Sequence, residues 1–116
     1  MIKGLGIDLT EIDRLKNTNI SKKVFLPNEI TWAKEDPEKL AILWSIKEAV
    51  VKSIGTGFRE NILWKDIEVI PSKDTYIVKF SNKTKEYYNI ADDLFHISVT
   101  KFNNLIFAQV IREIVG

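Results

Sequence analysis

Asp36-Pro37-Glu38-Lys39-Leu40-Ala41-Ile42-Leu43-Trp44-Ser45-Ile46-Lys47-Glu48-Ala49-Val50-Val51-Lys52-Ser53-Ile54-Gly55 is the stretch that decides the fold. Aspartate followed by proline is a strong helix start: the carboxylate can cap free backbone N–H groups, and proline suits the first helical position. Gly55 stops the run, since glycine readily takes the left-handed conformation that closes a helix. The segment predicts a helix over 37–54, about 27 Å long at 1.5 Å per residue. Leu40, Ala41, Ile42, Leu43, Trp44, Ile46, Ala49, Val50, Val51 and Ile54 cover most of its circumference. Such a helix belongs at the centre of the molecule, buried on several sides. Ser45, Glu48 and Lys52 fall at steps of three and four and form one narrow polar stripe.

A carboxylate in that apolar setting is costly unless a cation meets it. A second one, Asp8, closes the apolar run Ile2-Lys3-Gly4-Leu5-Gly6-Ile7 near the N-terminus. Each has an ordinary reading by itself. Glu48 and Lys52 can form an i,i+4 ion pair worth ~0.3–0.5 kcal/mol on a solvated face, and Asp8 can satisfy a turn or cap a following helix. Brought together, two carboxylates with waters and phosphate oxygens are how Mg²⁺ is usually held. Gly55-Thr56-Gly57 reads most simply as a C-cap and turn. A helix C-terminus carries partial negative charge, so a phosphate here must be met by N–H groups of the loop itself or by Lys52.

Outward from the helix, residues 2–9 read as a strand whose glycines allow close backbone approach. Thr10 is expected to cap a short helix through about Asn17, with Ile12 and Leu15 inward. Asn17 to Lys23 reads as a loop, and Pro27 opens a short helix through about Lys34. Asp66–Ile70 and Thr75–Phe80 alternate with period two around Pro71-Ser72-Lys73-Asp74, which predicts a hairpin. Ser81 or Asn82 starts a short helix through about Ile90. Phe95, Ile97 and Val99 alternate with His96, Ser98 and Thr100, and Asn103-Asn104 turns that strand into Leu105–Ile114. The expected class is α+β, with a small antiparallel sheet packed on the long helix and the N-terminal strand alongside.

Composition narrows the function. A chain of 116 residues is expected to form one domain. The absence of cysteine excludes a disulfide framework, a thiolate nucleophile and a thiolate metal site. A net charge of +1 argues against nucleic acid as a partner. No apolar run reaches the ~18–20 residues of a membrane span, and no signal-peptide pattern opens the chain; a cytoplasmic location is expected. His96, the only histidine, has no serine-nucleophile motif beside it, so a hydrolase triad has no support. Arg14, Lys16, Lys22 and Lys23 make a basic patch whose default reading is a solvated face.

Four segments in order resemble the holo-acyl-carrier-protein synthase family, the small phosphopantetheinyl transferases. They are Gly6-Ile7-Asp8-Leu9-Thr10-Glu11-Ile12-Asp13-Arg14, Trp44 to Gly57 with its Lys47-Glu48-Ala49 core, Asp66-Ile67-Glu68, and His96-Ile97-Ser98-Val99-Thr100. The ending Ala108-Gln109-Val110-Ile111 with Glu113 also fits. The resemblance implies transfer of the 4′-phosphopantetheine arm of coenzyme A to a serine of apo-acyl carrier protein. It implies Mg²⁺ held by Asp8 and Glu48, with Glu48 and Lys52 catalytic and a metal-associated water, or Glu48 through one, as the base. It further implies coenzyme A contacts at Lys52, Gly55, Thr56, Gly57, Thr100 and Lys101, carrier docking on Arg14, Lys22 and Lys23, and a homotrimer with sites at subunit interfaces. Departures are Leu43 where the family has arginine, Lys101 where it has histidine, and Ser72-Lys73-Asp74 where it has a Gly-Lys-Pro turn; Arg59 is a substitute source of positive charge. The alternative is a weakened carrier-binding or nucleotide-binding module of the same fold.

Overall fold

The computed structural model describes residues 1–16 and 21–115, and for Ser21 and Lys22 the backbone alone. It is an α+β structure. Strand β1 (Ile2–Glu11) leads through a 3₁₀ turn (Ile12–Leu15) to three helices, α1 (Ser21–Val24), α2 (Pro27–Ala33) and α3 (Pro37–Ile54). A hairpin of β2 (Ile67–Ser72) and β3 (Thr75–Phe80) follows, then α4 (Asn82–Tyr88), β4 (Leu94–Phe102) and β5 (Leu105–Glu113). β1, β5 and β4 form an antiparallel sheet in the order β1-β5-β4, while β2 and β3 form a separate two-stranded sheet.

The central helix forms as its sequence demands. Asp36 accepts the Glu38 N–H at 2.9 Å, Pro37 occupies the first turn, and Gly55 closes the helix at φ 87°. Leu43, Ile46, Val50 and Val51 are fully or almost fully buried. Ile106, Ala108 and Val110, alternating along β5, bury the inner face of the sheet with them.

What places the strand is its inner row, Gly4, Gly6, Asp8 and Thr10. A Cβ on Gly4 would lie 1.9 Å from the carbonyl oxygen of Ser53, and one on Gly6 1.7 Å from that of Ala49. Backbone therefore meets backbone here, as only glycine permits. The helix answers with small residues four apart, Ser45, Ala49 and Ser53. At the other end the Ser45 hydroxyl donates to Thr10 Oγ1 at 2.6 Å, and the Thr10 hydroxyl donates to Asp8 Oδ2 at 2.6 Å.

Two local expectations are corrected. Thr10 caps no helix: it is buried within β1, which runs on to Glu11, and the turn that follows is four residues of 3₁₀ helix with no side-chain cap. The hydroxyl finds better partners in Asp8 and Ser45 than in the backbone ahead of it. The segment read as a loop from Asn17 to Lys23 contains the start of α1, its residues 17–20 lying outside the described residues. The hairpin and the helix after it follow expectation, with Ser81 accepting the Thr84 N–H and Asn89 closing α4 in the left-handed region.

Candidate functional site

Because Gly4 and Gly6 draw β1 onto α3, the next residue on that face, Asp8, arrives beside the polar stripe of the helix. Lys52 Nζ lies 3.3 Å from Asp8 Oδ1 and donates to the Ile7 carbonyl at 3.0 Å. The ion pair that forms is thus between helix and strand, rather than along the helix to Glu48. Asp8 is 12% exposed at its side chain and Lys52 50%, so the lysine head reaches from solvent over a sheltered carboxylate.

Glu48 sits half-buried in the same cluster. Desolvation, and next the negative charge of Asp8, raise its pKa above the ordinary carboxylate value, while Lys52 and Arg14 pull the other way. A carboxylate whose ionisation is disfavoured by burial and by a second carboxylate makes a site that a cation relieves. Among the described residues no third Asp, Glu or His joins them. That donor set fits Mg²⁺, which takes one or two carboxylates and fills its remaining positions with water and phosphate oxygens. Arg14 completes the charge pattern, its guanidinium 5.8 Å from the centre of the Trp44 ring, one helical turn before Glu48.

The Gly55-Thr56-Gly57 loop leaves the helix after Ile54, within a turn of Lys52. Thr56 Oγ1 is buried without a hydrogen-bond partner among the described residues, so its bonding capacity is open to a ligand. A cavity of about 560 Å³ adjoins it, lined by Gly55, Thr56, Arg59, Asn61, Tyr87 and Tyr88.

Thr100 and Lys101 are not brought to this place. Lys101 Nζ pairs with Glu38 Oε1 at 2.7 Å, in the first turn of α3, whereas Lys52 lies in the last. Glu38 and Lys52 stand fourteen positions apart along the helix, about 21 Å. Lys101 lines a different groove, with Trp32, Pro71 and Tyr76. Lys23 is exposed on α1, and Leu43 is wholly buried; the Lys22 side chain lies outside the described residues. His96 pairs with Glu113 at 3.0 Å on the outer face of the sheet, away from the carboxylates.

One structural residue escaped the sequence reading. Lys47 is fully buried, its ammonium 2.7 Å from the equally buried Glu29. The available signal was a lysine outside the polar stripe, on a face otherwise given to Leu40, Leu43 and Val50.

The model of the 4′-phosphopantetheinyl transferase superfamily matches residues 4–106. The holo-[acyl-carrier-protein] synthase of Pelagibacter ubique is 37% identical, with 97% of each chain covered. That of Limosilactobacillus reuteri is 33% identical, again with 97% of each covered. Among solved structures, a holo-(acyl-carrier-protein) synthase from Bacillus anthracis in complex with CoA (3′,5′-ADP) superposes with a TM-score of 0.83 at 27% identity, covering 99% of both chains. With 103 consecutive residues matched by the family model, full-length relatives above 30% identity and the same fold, this chain belongs to the 4′-phosphopantetheinyl transferase superfamily.

Proposed function

We propose that the protein transfers the 4′-phosphopantetheine arm of coenzyme A to a serine hydroxyl of an apo-acyl carrier protein, releasing adenosine 3′,5′-bisphosphate. The observation that carries this reading is the sheltered carboxylate pair Asp8–Glu48 with Lys52 across it, inside a chain whose relatives are named for this activity.

In the reaction the serine oxygen forms a bond to the β-phosphorus of the coenzyme A pyrophosphate. The bond from that phosphorus to the bridging oxygen breaks, and the nucleotide leaves with that oxygen. Asp8 and Glu48 would hold Mg²⁺, which when bound neutralises pyrophosphate charge and aligns the reacting group. Lys52, tethered by the Ile7 carbonyl and Asp8, stabilises negative charge on the phosphoryl oxygens or the leaving group. The serine proton passes to water at the carboxylate pair or, through such a water, to Glu48. Gly55, Thr56 and Gly57 are assigned to the nucleotide; the Gly55 and Thr56 N–H groups close the last turn of α3, which leaves the Thr56 hydroxyl and the Gly57 N–H to meet it.

Thr100, which shares the outer face of the sheet with Leu9 and Phe107 while Asp8 faces inward, and Lys101, drawn to Glu38 at the far end of α3, serve coenzyme A if a second copy presents them. A homotrimer with shared sites meets that need. The outer face of the β1-β5-β4 sheet supports it, because Leu5, Ile7, Leu9 and Phe107 stand exposed there side by side, and a patch of that kind marks an interface. Arg14 and Lys23, with Lys22, are assigned to docking the acidic carrier. The chain works as one domain, in the cytoplasm.

The test is incubation with coenzyme A, Mg²⁺ and an apo carrier protein, followed by intact mass measurement of the carrier. A mass gain of one phosphopantetheine that needs all three components is expected. An unchanged carrier with bound coenzyme A would leave a nucleotide-binding module instead.

A further inference from the structure

The Lys47–Glu29 pair is too completely built to be incidental. All three protons of Lys47 are used: Nζ donates to Glu29 Oε1 at 2.7 Å, to the Val24 carbonyl at 2.9 Å and to the Trp64 carbonyl at 3.0 Å. Glu29 is bonded at both oxygens in turn. Its Oε1 also accepts the Leu26 N–H at 2.8 Å, and its Oε2 accepts the Val69 N–H at 2.7 Å. One ion pair thus ties the end of α1, the start of α2, the 3₁₀ turn at Trp64–Asp66 and β2 to the middle of α3.

Stability alone is a poor reason for such a device. Desolvating two charges is expensive, and apolar residues of similar volume often hold a core as well or better. What a pair bonded at every charged atom adds is one geometry for the pieces it joins. Its position says which pieces. Along α3 the residue after Lys47 is Glu48, about 100° round the helix and facing the cleft. Along α1 the residue before Val24 is Lys23, exposed on the surface assigned to the carrier. A buried link of one side chain and one carbonyl therefore runs from the carboxylate site to the docking surface.

We propose that Lys47 and Glu29 are positioning residues, setting the α1–α2 segment, and the carrier-docking surface on it, at a fixed place relative to Glu48 and Lys52. The proposal rests on the transferase reading. The ion pair touches neither substrate and acts through the segments it holds.

The experiment uses the full chain with Lys47→Met/Glu29→Gln, which removes both charges but leaves an amide able to replace some of the lost hydrogen bonds. Glu29→Asp is the milder second variant; it keeps the charge and retracts it by one methylene. Two readouts are compared with the unaltered protein. Amide hydrogen exchange over residues 23–33 should accelerate by about tenfold or more while the middle of α3 stays protected. The carrier KM should rise by roughly fivefold or more, with the coenzyme A KM and kcat little changed. Glu29→Asp should show the same division, more weakly, and it decides the matter if the double variant does not fold. Unchanged exchange over 23–33, or equal losses for both substrates, overturns the proposal, since a part of the core alone would produce no division. If the unaltered protein transfers nothing, the transferase reading fails separately, and the exchange measurement by itself upholds or removes the positioning claim.

Discussion

Replacing Gly6 by alanine tests how the site is assembled. The added Cβ would stand 1.7 Å from the Ala49 carbonyl oxygen, 2.7 Å from its carbon and 2.8 Å from the Ser53 nitrogen. All three are backbone atoms of α3, so no side chain can swing aside. Ordinary contact begins near 3.4 Å, so strand and helix must separate by well over 1 Å. Overpacking of this kind typically costs about 1–3 kcal/mol, and the rigid backbone opposite places Gly6→Ala at the upper end. At roughly 4 °C or more per kcal/mol for a domain near this size, the melting temperature should fall by about 10 °C. Asp8 lies two residues further along the same row, so the displacement reaches its 3.3 Å contact with Lys52. A misplacement of about 1 Å can lower turnover on the order of 100-fold. Thermal unfolding and kcat are measured on the same preparation, with Glu86→Ala on the exposed face of α4 as the control. A Gly6→Ala protein with unchanged melting and turnover would refute the close approach that seats the carboxylate.

Asp8→Ala and Glu48→Ala should each abolish most transfer at saturating Mg²⁺ while circular dichroism stays native; near-normal turnover in either folded variant removes that residue from the metal site. Arg14→Glu should raise the carrier KM several-fold and affect coenzyme A much less. Affinity for the carrier should also weaken with salt, because exposed charges are screened over ~8–10 Å; indifference to both changes returns the basic patch to a solvated face. Sedimentation should find a trimer at micromolar concentration, and a fully active monomer would end the shared-site model. Asp66 supplies a pH dependence. Burial pushes its pKa up, but hydrogen bonds from the Ser81 hydroxyl and the Leu63 N–H, together with Lys83, outweigh this and hold it below the ordinary 3.8. Its folded pKa being the lower one, its contribution is complete above about pH 4 and is lost as the pH falls through the folded value. Asp66→Asn should therefore lower stability at neutral pH and flatten the acid limb of the unfolding profile; an unaltered limb contradicts the assignment.

The long helix was legible because each of its signals is local: the Asp36-Pro37 start, the apolar circumference and the Gly55 stop. The hairpin and the β4–β5 pair were legible for the same reason, through period-two alternation and turn residues. Thr10 misled because its preference for capping is local while its actual partners, Asp8 and Ser45, are set by the packing of β1 on α3. The same limit hid Lys47, since nothing near it in sequence announces Glu29 eighteen residues earlier. The pairing of Lys52 with Asp8 rather than Glu48 also depends on that packing, which glycines at 4 and 6 permit but do not by themselves announce. Thr100 and Lys101 were legible only as family positions. That Thr100 faces away from Asp8 across the sheet and that Lys101 reaches Glu38 belong to the assembled fold, and both turn a list of contacts into an argument for a second copy.

The most direct measurement follows both products of one reaction. With Mg²⁺, coenzyme A and an apo carrier protein, the account predicts one adenosine 3′,5′-bisphosphate released for each phosphopantetheine gained by the carrier, and neither product with Glu48→Ala. Nucleotide released without modified carrier would make the protein a hydrolase of coenzyme A, and formation of neither product by the unaltered protein would contradict the transferase assignment itself.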